Sequence, residues 1–108
     1  MTDRPYLMLV VEDEPAIREG VLGTLRKWGE KQPDIWQFIA AASGPEGLEI
    51  ARSQPVDFMI CDIRLPGMSG IDMLEKLRQA NRNTPAILLT GYAEFEYVRK
   101  ALSLGVVN

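Results

Sequence analysis

Four short apolar runs divide this sequence, and they constrain its fold more than any other feature. They are YLMLVV (6–11), WQFIAAA (36–42), VDFMIC (56–61) and AILLT (86–90). Runs that are apolar throughout are typical of strands covered on both faces, as in a parallel sheet. Helical patterns lie between the runs, so strand and helix alternate. With right-handed crossovers, this alternation predicts an α/β fold, a doubly wound parallel sheet with helices on both faces.

The helical segments have start signals of their own. SGPE (43–46) and SGID (69–72) each place a serine three residues before an acidic residue, as in a capping box. The first helix is expected to end near Gly29. Residues at helical spacing mark four helices: Ile17, Val21, Leu25 and Trp28 in the first, Leu48 and Ala51 in the second, Ile71, Leu74 and Leu77 in the third, and Phe95, Val98 and Leu102 in the fourth. We therefore predict a single domain over residues 1–108.

Composition narrows the possible functions. The net charge of -3 combines 12 basic with 15 acidic residues and no basic run, so this segment alone is not expected to bind nucleic acid. The absence of histidine excludes Ser/His and Cys/His catalysis and imidazole metal sites. Cys61 has no cysteine to pair with and is best interpreted as a small buried hydrophobe. With no secretory leader or long apolar segment, the chain is expected in the cytoplasm without a membrane partner.

Acidic residues follow two of the predicted strands. Glu12 and Asp13 come after the first and Asp62 after the third, while Thr90 ends the fourth. In a flavodoxin-like order the first and third strands are neighbours, so these side chains should meet at the carboxyl edge of the sheet. Crowded carboxylates repel one another, and a cation relieves that repulsion. Oxygen ligands favour magnesium, which would also draw an anionic phosphoryl group toward Asp62.

Each of these residues also has a simpler explanation. Asp13 could cap the first helix, because an acidic residue and Pro15 follow it. Asp62 alone could be a turn residue, and Thr90 an ordinary β-branched strand residue. The segment LPGMSG (65–70) is explained by a turn followed by a helix cap. Only the joint arrangement favours a site for phosphoryl transfer.

Three segments carry a family resemblance. VVEDEP (10–15), CDIRLPGMSG (61–70) and LLTGY (88–92) resemble the signature segments of response regulator receiver domains, members of the CheY-like superfamily. The resemblance implies that Glu12 and Asp13 are the acidic pair and that Asp62 is the phosphoacceptor. It also implies that Thr90 carries the switch hydroxyl and that the backbone carbonyl of Arg64 binds magnesium. Asp13, Asp62 and Glu12 would share the metal with that carbonyl.

The resemblance also implies a function and partners. A sensor histidine kinase would donate a phosphoryl group from a phosphohistidine to Asp62, and the acyl phosphate would later be hydrolysed, with no other enzymatic activity. The segment 91–106 is similar to receivers that precede an AraC-type helix-turn-helix module. DNA would then be bound only through an output domain absent from this chain. Activation would change the surface around Tyr92, Phe95 and Tyr97.

The chain departs from the family pattern at its end. A complete receiver continues into a fifth strand with a switch aromatic and a Lys-Pro pair, then a fifth helix, and the 108 residues contain none of these. Lys100 lies within the fourth helical pattern and does not replace the phosphate-binding lysine. We therefore expect strand order 2-1-3-4, truncation at the C-terminus, and an exposed sheet edge that could form a homodimer or an edge-paired oligomer.

Other functions remain as alternatives. One is a degenerate receiver that binds metal without accepting phosphate. Another is a phosphohydrolase of the haloacid-dehalogenase type, but its signature needs Asp-x-Asp after the first strand, where this chain has EDEP (12–15). A flavin-binding flavodoxin is less favoured still, because a phosphate would meet acidic residues at that position.

Overall fold

A computed structural model describes residues 4–89 of the chain. Strands and helices alternate without exception in this range, as the sequence predicts. The elements are β1 (Tyr6–Val11), α1 (Pro15–Glu30), β2 (Trp36–Ala41), α2 (Gly44–Ser53), β3 (Phe58–Asp62), α3 (Gly70–Gln79) and β4 (Ala86–Leu89). The predicted strand limits are correct to within two residues, and β3 includes Asp62 as its last residue.

The four strands form one parallel sheet in the order β2-β1-β3-β4. The predicted order is therefore confirmed. Val11 lies opposite Cys61 in the register of β1 and β3. The residues that follow them, Glu12 and Asp62, consequently emerge side by side at the carboxyl edge of the sheet.

Side chains of β1 alternate between two apolar layers. Leu9 and Val11 belong to the large core cluster that also contains buried residues of α2 and α3. Met8 and Val10 are equally buried but point to the other face, where α1 packs on β1 and β2. Helices therefore cover both faces, and the fold is the flavodoxin-like doubly wound α/β class.

Two serines start helices as predicted. The Ser43 hydroxyl accepts the Glu46 backbone N–H at 3.3 Å at the start of α2, and the Ser69 hydroxyl accepts the Asp72 N–H at 3.1 Å at the start of α3. The Glu46 carboxylate accepts the N–H of Ala42 at 3.3 Å, one residue before the capping serine. Both helices therefore have most of the capping that their sequences indicate.

The first helix differs from its predicted pattern. Within α1 the buried residue is Leu22, whereas Ile17 is 52% and Trp28 40% exposed. The reason is tertiary, because α1 packs mainly against the edge strand β2 and less against β1. Trp28 meets Trp36 of that strand edge-on, with ring centroids 5.1 Å apart.

Several predictions from the sequence lie outside the described residues. They concern Thr90, the fourth helix with Phe95, Val98 and Leu102, the surface around Tyr92 and Tyr97, and Lys100. Within residues 4–89, no helix has the length and apolar character that crossing a membrane requires.

Candidate functional site

Three carboxylates converge at the carboxyl edge of the sheet. Glu12 and Asp13 follow β1, Asp62 ends β3, and one carboxylate oxygen from each lies within 4.8 Å of the other two. The neighbouring positions of β1 and β3 bring together residues that are far apart in sequence. The structure thus assembles the acidic cluster that the strand ends predict.

Glu12 is the buried member of the cluster, with only 3% of its surface exposed. Its Oε1 accepts the backbone N–H of Glu14 at 3.1 Å. Its pKa rises from 4.5 to about 7, mainly because of burial and also because of a hydrogen bond with Asp62. Near neutral pH this carboxyl can therefore hold a proton that a bound cation would displace.

Asp13 is half-buried beside Glu12, and it does not cap the first helix. The residue at the N-cap position is Glu14, whose side chain makes no capping hydrogen bond, and Pro15 opens the helix. The simpler explanation of Asp13 as a helix cap is therefore wrong. Its carboxylate faces the cluster instead.

Asp62 is held by its own loop. One carboxylate oxygen, Oδ1, accepts the backbone N–H of Arg64 at 3.0 Å. The backbone carbonyl oxygen of Asp62 accepts the thiol of Cys61 at 3.2 Å. Cys61 is fully buried and burial raises the pKa of its thiol, which agrees with its interpretation as a core residue and not a nucleophile.

The donor set fits a hard divalent cation. Each of the three residues offers a carboxylate oxygen, and nitrogen and sulfur donors are absent from this group. Oxygen-only ligands of this kind suit magnesium, which usually keeps several waters and binds through one or two carboxylates. The role of the Arg64 carbonyl as a further ligand stays a prediction, and Thr90 lies outside the described residues.

Gly70 lies beside this site, although the sequence motif indicated only that it belongs to the start of a helix. It opens α3 behind Asp62, and its N–H donates to the carbonyl of Ile63 at 2.8 Å. A Cβ at this position would overlap the carbonyl oxygen of Asp62 and lie 2.9 Å from the Cys61 sulfur. The glycine of the SGID start therefore allows α3 to pack against the end of β3.

We expect Gly70→Ala to displace the end of β3 and lower the free energy of unfolding by about 1 to 3 kcal/mol, as in overpacked cores. The backbone carbonyl cannot rotate away as a flexible side chain can. Urea unfolding followed by tryptophan fluorescence measures the change. Gly23→Ala, in open space within α1, is the control and should stabilise the protein by about 0.5 to 1 kcal/mol. Equal stability of Gly70→Ala and the wild type would contradict the steric argument.

A parallel sheet in the order 2-1-3-4 with an acidic cluster at its carboxyl edge is the arrangement that the sequence predicts for a receiver domain. Residues 8–108 match the family model described as response regulator receiver domain. The chain therefore belongs to the response regulator receiver family.

Relatives with known names agree with this assignment. The chain is 40% identical over 87 residues to the probable transcriptional regulatory protein TcrX of Mycobacterium tuberculosis, a match that covers 81% of this chain and 35% of the relative. The match thus spans about a third of that protein's length. Such relatives are larger response regulators, of which this chain corresponds to the receiver.

Solved structures show the same fold. A response regulator receiver protein from Pseudomonas putida superposes with a TM-score of 0.85 at 26% identity, covering 98% of this chain and 84% of the other. TrrA from Thermotoga maritima, solved in complex with Mg2+ and BeF, superposes with a TM-score of 0.80 at 29% identity, covering 94% and 84%.

Proposed function

We propose that this receiver accepts a phosphoryl group on Asp62 from a phosphohistidine of a sensor histidine kinase, in a reaction that requires magnesium. The observation that carries the proposal is the convergence of Glu12, Asp13 and Asp62 within 4.8 Å at the end of β1 and β3. The likeness to TrrA, whose structure contains Mg2+ and BeF, supports the same assignment.

Asp62 has the position and chemistry of the acceptor. It is half-buried at the end of a central strand, and Arg64 fixes one of its carboxylate oxygens. A carboxylate oxygen attacks phosphorus, the phosphorus–nitrogen bond of the donor breaks, and its electron pair stays on the imidazole nitrogen, which takes up a proton. The product is an acyl phosphate, and attack of water on phosphorus later returns the carboxylate and inorganic phosphate.

Glu12 and Asp13 have a different task from Asp62. Together with Asp62 they would hold the cation, with the Arg64 carbonyl as a further ligand. Bound magnesium supplies positive charge that offsets the carboxylates and the developing charge on the phosphoryl oxygens. Glu12 must lose its proton to act as a ligand, so binding of the cation is coupled to proton release near neutral pH.

Autophosphorylation and dephosphorylation at Asp62 would be the only chemistry of this domain, and its output would be a conformational change. Transcription would then be controlled through a DNA-binding domain outside these 108 residues. The name of TcrX, a probable transcriptional regulatory protein, supports this output. A cytoplasmic location follows from the proposed partners, and pairing of two receivers through a sheet edge remains part of the proposal.

The test is phosphorylation with a small donor. We expect the protein incubated with acetyl phosphate and magnesium to gain the mass of one phosphoryl group, and excess EDTA to suppress the gain by at least about 10-fold, since the cation offsets charge at the acceptor. Intact-mass spectrometry measures both states, and peptide mapping should place the group on Asp62. Magnesium binding without any phosphoryl uptake would favour the alternative of a degenerate receiver.

A further inference from the structure

Arg18 contacts the loop that carries two of the three carboxylates. It lies in the second turn of α1, half-buried, and its Nη1 donates to the backbone carbonyl of Glu12 at 3.0 Å and to that of Asp13 at 3.4 Å. One guanidinium nitrogen thus bridges two consecutive peptide carbonyls. The contact joins the helix to the segment between β1 and α1.

That segment is short. Backbone hydrogen bonds hold its two ends, since the Glu12 N–H donates to a carbonyl of β2 at 3.0 Å and the Glu14 carbonyl accepts the Arg18 N–H at 2.8 Å. Only three residues separate Val11, the last residue of β1, from Pro15, the first of α1. On the side of the cluster, the Glu12 carboxylate accepts the Glu14 N–H. The N-cap side chain makes no bond to the helix. Among residues 4–89, Arg18 is therefore the side chain that hydrogen-bonds the carbonyls of the first two loop residues.

The cluster needs such support because its acidic groups are crowded together and, when ionised, repel one another. Three carboxylate oxygens within 4.8 Å tend to spread unless the backbone holds them. Arg18 binds carbonyls and not carboxylates, so it adds a positive charge to the loop without occupying the oxygens that a cation needs. A residue that orients ligands in this way typically changes metal affinity 10- to 100-fold when it is removed.

We propose that Arg18 is a positioning residue that holds the β1–α1 loop so that Glu12 and Asp13 are preorganised for the divalent cation. The proposal rests on the function proposed above. It predicts that Arg18 affects metal affinity more than it affects stability. The guanidinium acts through the backbone carbonyls of the two acidic residues and not by direct contact with the phosphoryl group.

The experiment compares Arg18→Gln with Arg26→Gln in the full chain. Arg26 is exposed on the same helix and, within the described part of the chain, is not hydrogen-bonded to the acidic cluster, so it is a matched control for charge and helix propensity. We expect calorimetry to show a magnesium Kd about 10-fold higher for Arg18→Gln and unchanged for Arg26→Gln. Arg18→Lys, which keeps a cationic donor, should recover part of the affinity. A folded Arg18→Gln protein with wild-type magnesium affinity would overturn the proposal.

A second readout does not depend on metal. In the metal-free protein, amide hydrogen exchange at Glu14 reports whether the loop is held, since this N–H is bound to Glu12. We expect exchange at Glu14 to accelerate in Arg18→Gln and to stay at the wild-type rate in Arg26→Gln. Unchanged exchange would overturn the positioning role even if the wild type binds no magnesium. Failure of the wild type to take up phosphate would instead contradict the proposed function.

Discussion

Asp62→Asn is expected to abolish phosphoryl incorporation while the fold is retained. The amide has no anionic oxygen to attack phosphorus, so the initial rate should fall by at least about 100-fold, as when other nucleophiles are removed. Asparagine has the same shape as aspartate, and its oxygen can still accept the Arg64 N–H. Replacing one of three crowded acidic groups by a neutral amide should not lower stability. Intact-mass spectrometry with acetyl phosphate and magnesium measures incorporation, and urea unfolding measures stability.

The control for this prediction is Asp72→Asn. Asp72 is an exposed aspartate in the first turn of α3, and it is not a member of the acidic cluster. We expect this variant to take up phosphate at a rate close to that of the wild type. Phosphate retained by the Asp62→Asn protein would point to another acceptor and would refute the assignment of Asp62.

The buried carboxyl of Glu12 is expected to make the stability of the metal-free protein depend on pH. Because burial raises its pKa from 4.5 to about 7, the folded chain keeps the proton between these values whereas the unfolded chain releases it. Without metal, the free energy of unfolding should therefore fall as the pH rises through this window, by about 1 to 3 kcal/mol. Below pH 4.5 both states are protonated and this contribution is fully present.

Glu12→Gln should remove this dependence. The amide resembles the protonated carboxyl, since it can accept the Glu14 N–H and donate to Asp62. Without metal we expect the variant to match the wild type near pH 5 and to exceed it by about 1 to 3 kcal/mol at pH 8. Saturating magnesium should stabilise the wild type more than the variant, because the variant lacks one anionic ligand. Urea unfolding across pH 5 to 8, with and without magnesium, measures both effects.

Glu14→Gln is the matched control for this experiment. It removes the same charge from an exposed side chain in the same loop, outside the cluster of three carboxylates. We expect its stability to follow the wild-type pH dependence. If Glu12→Gln and the wild type show the same pH dependence without metal, the buried carboxyl is not the group that titrates.

The order of the elements and the location of the acidic residues at strand ends could be predicted from the sequence. Runs such as YLMLVV and AILLT are apolar throughout because both faces of their strands are covered, and this signal is local. Ser43 and Ser69 start helices through bonds to residues three positions along, which the sequence also shows. That Glu12, Asp13 and Asp62 lie at the carboxyl edge of the sheet followed from their positions at the ends of parallel strands.

The behaviour of these residues depends on tertiary packing, which local sequence patterns do not show. The separation of the carboxylates, the burial of Glu12 and the resulting rise of its pKa depend on β1 and β3 lying side by side. The exposed position of Trp28 depends on where α1 lies over the edge strand, and the need for Gly70 on how closely α3 approaches β3. Local periodicity records which residues prefer a helix or a strand. Distances between elements, and hence charge coupling and steric limits, arise only when those elements pack.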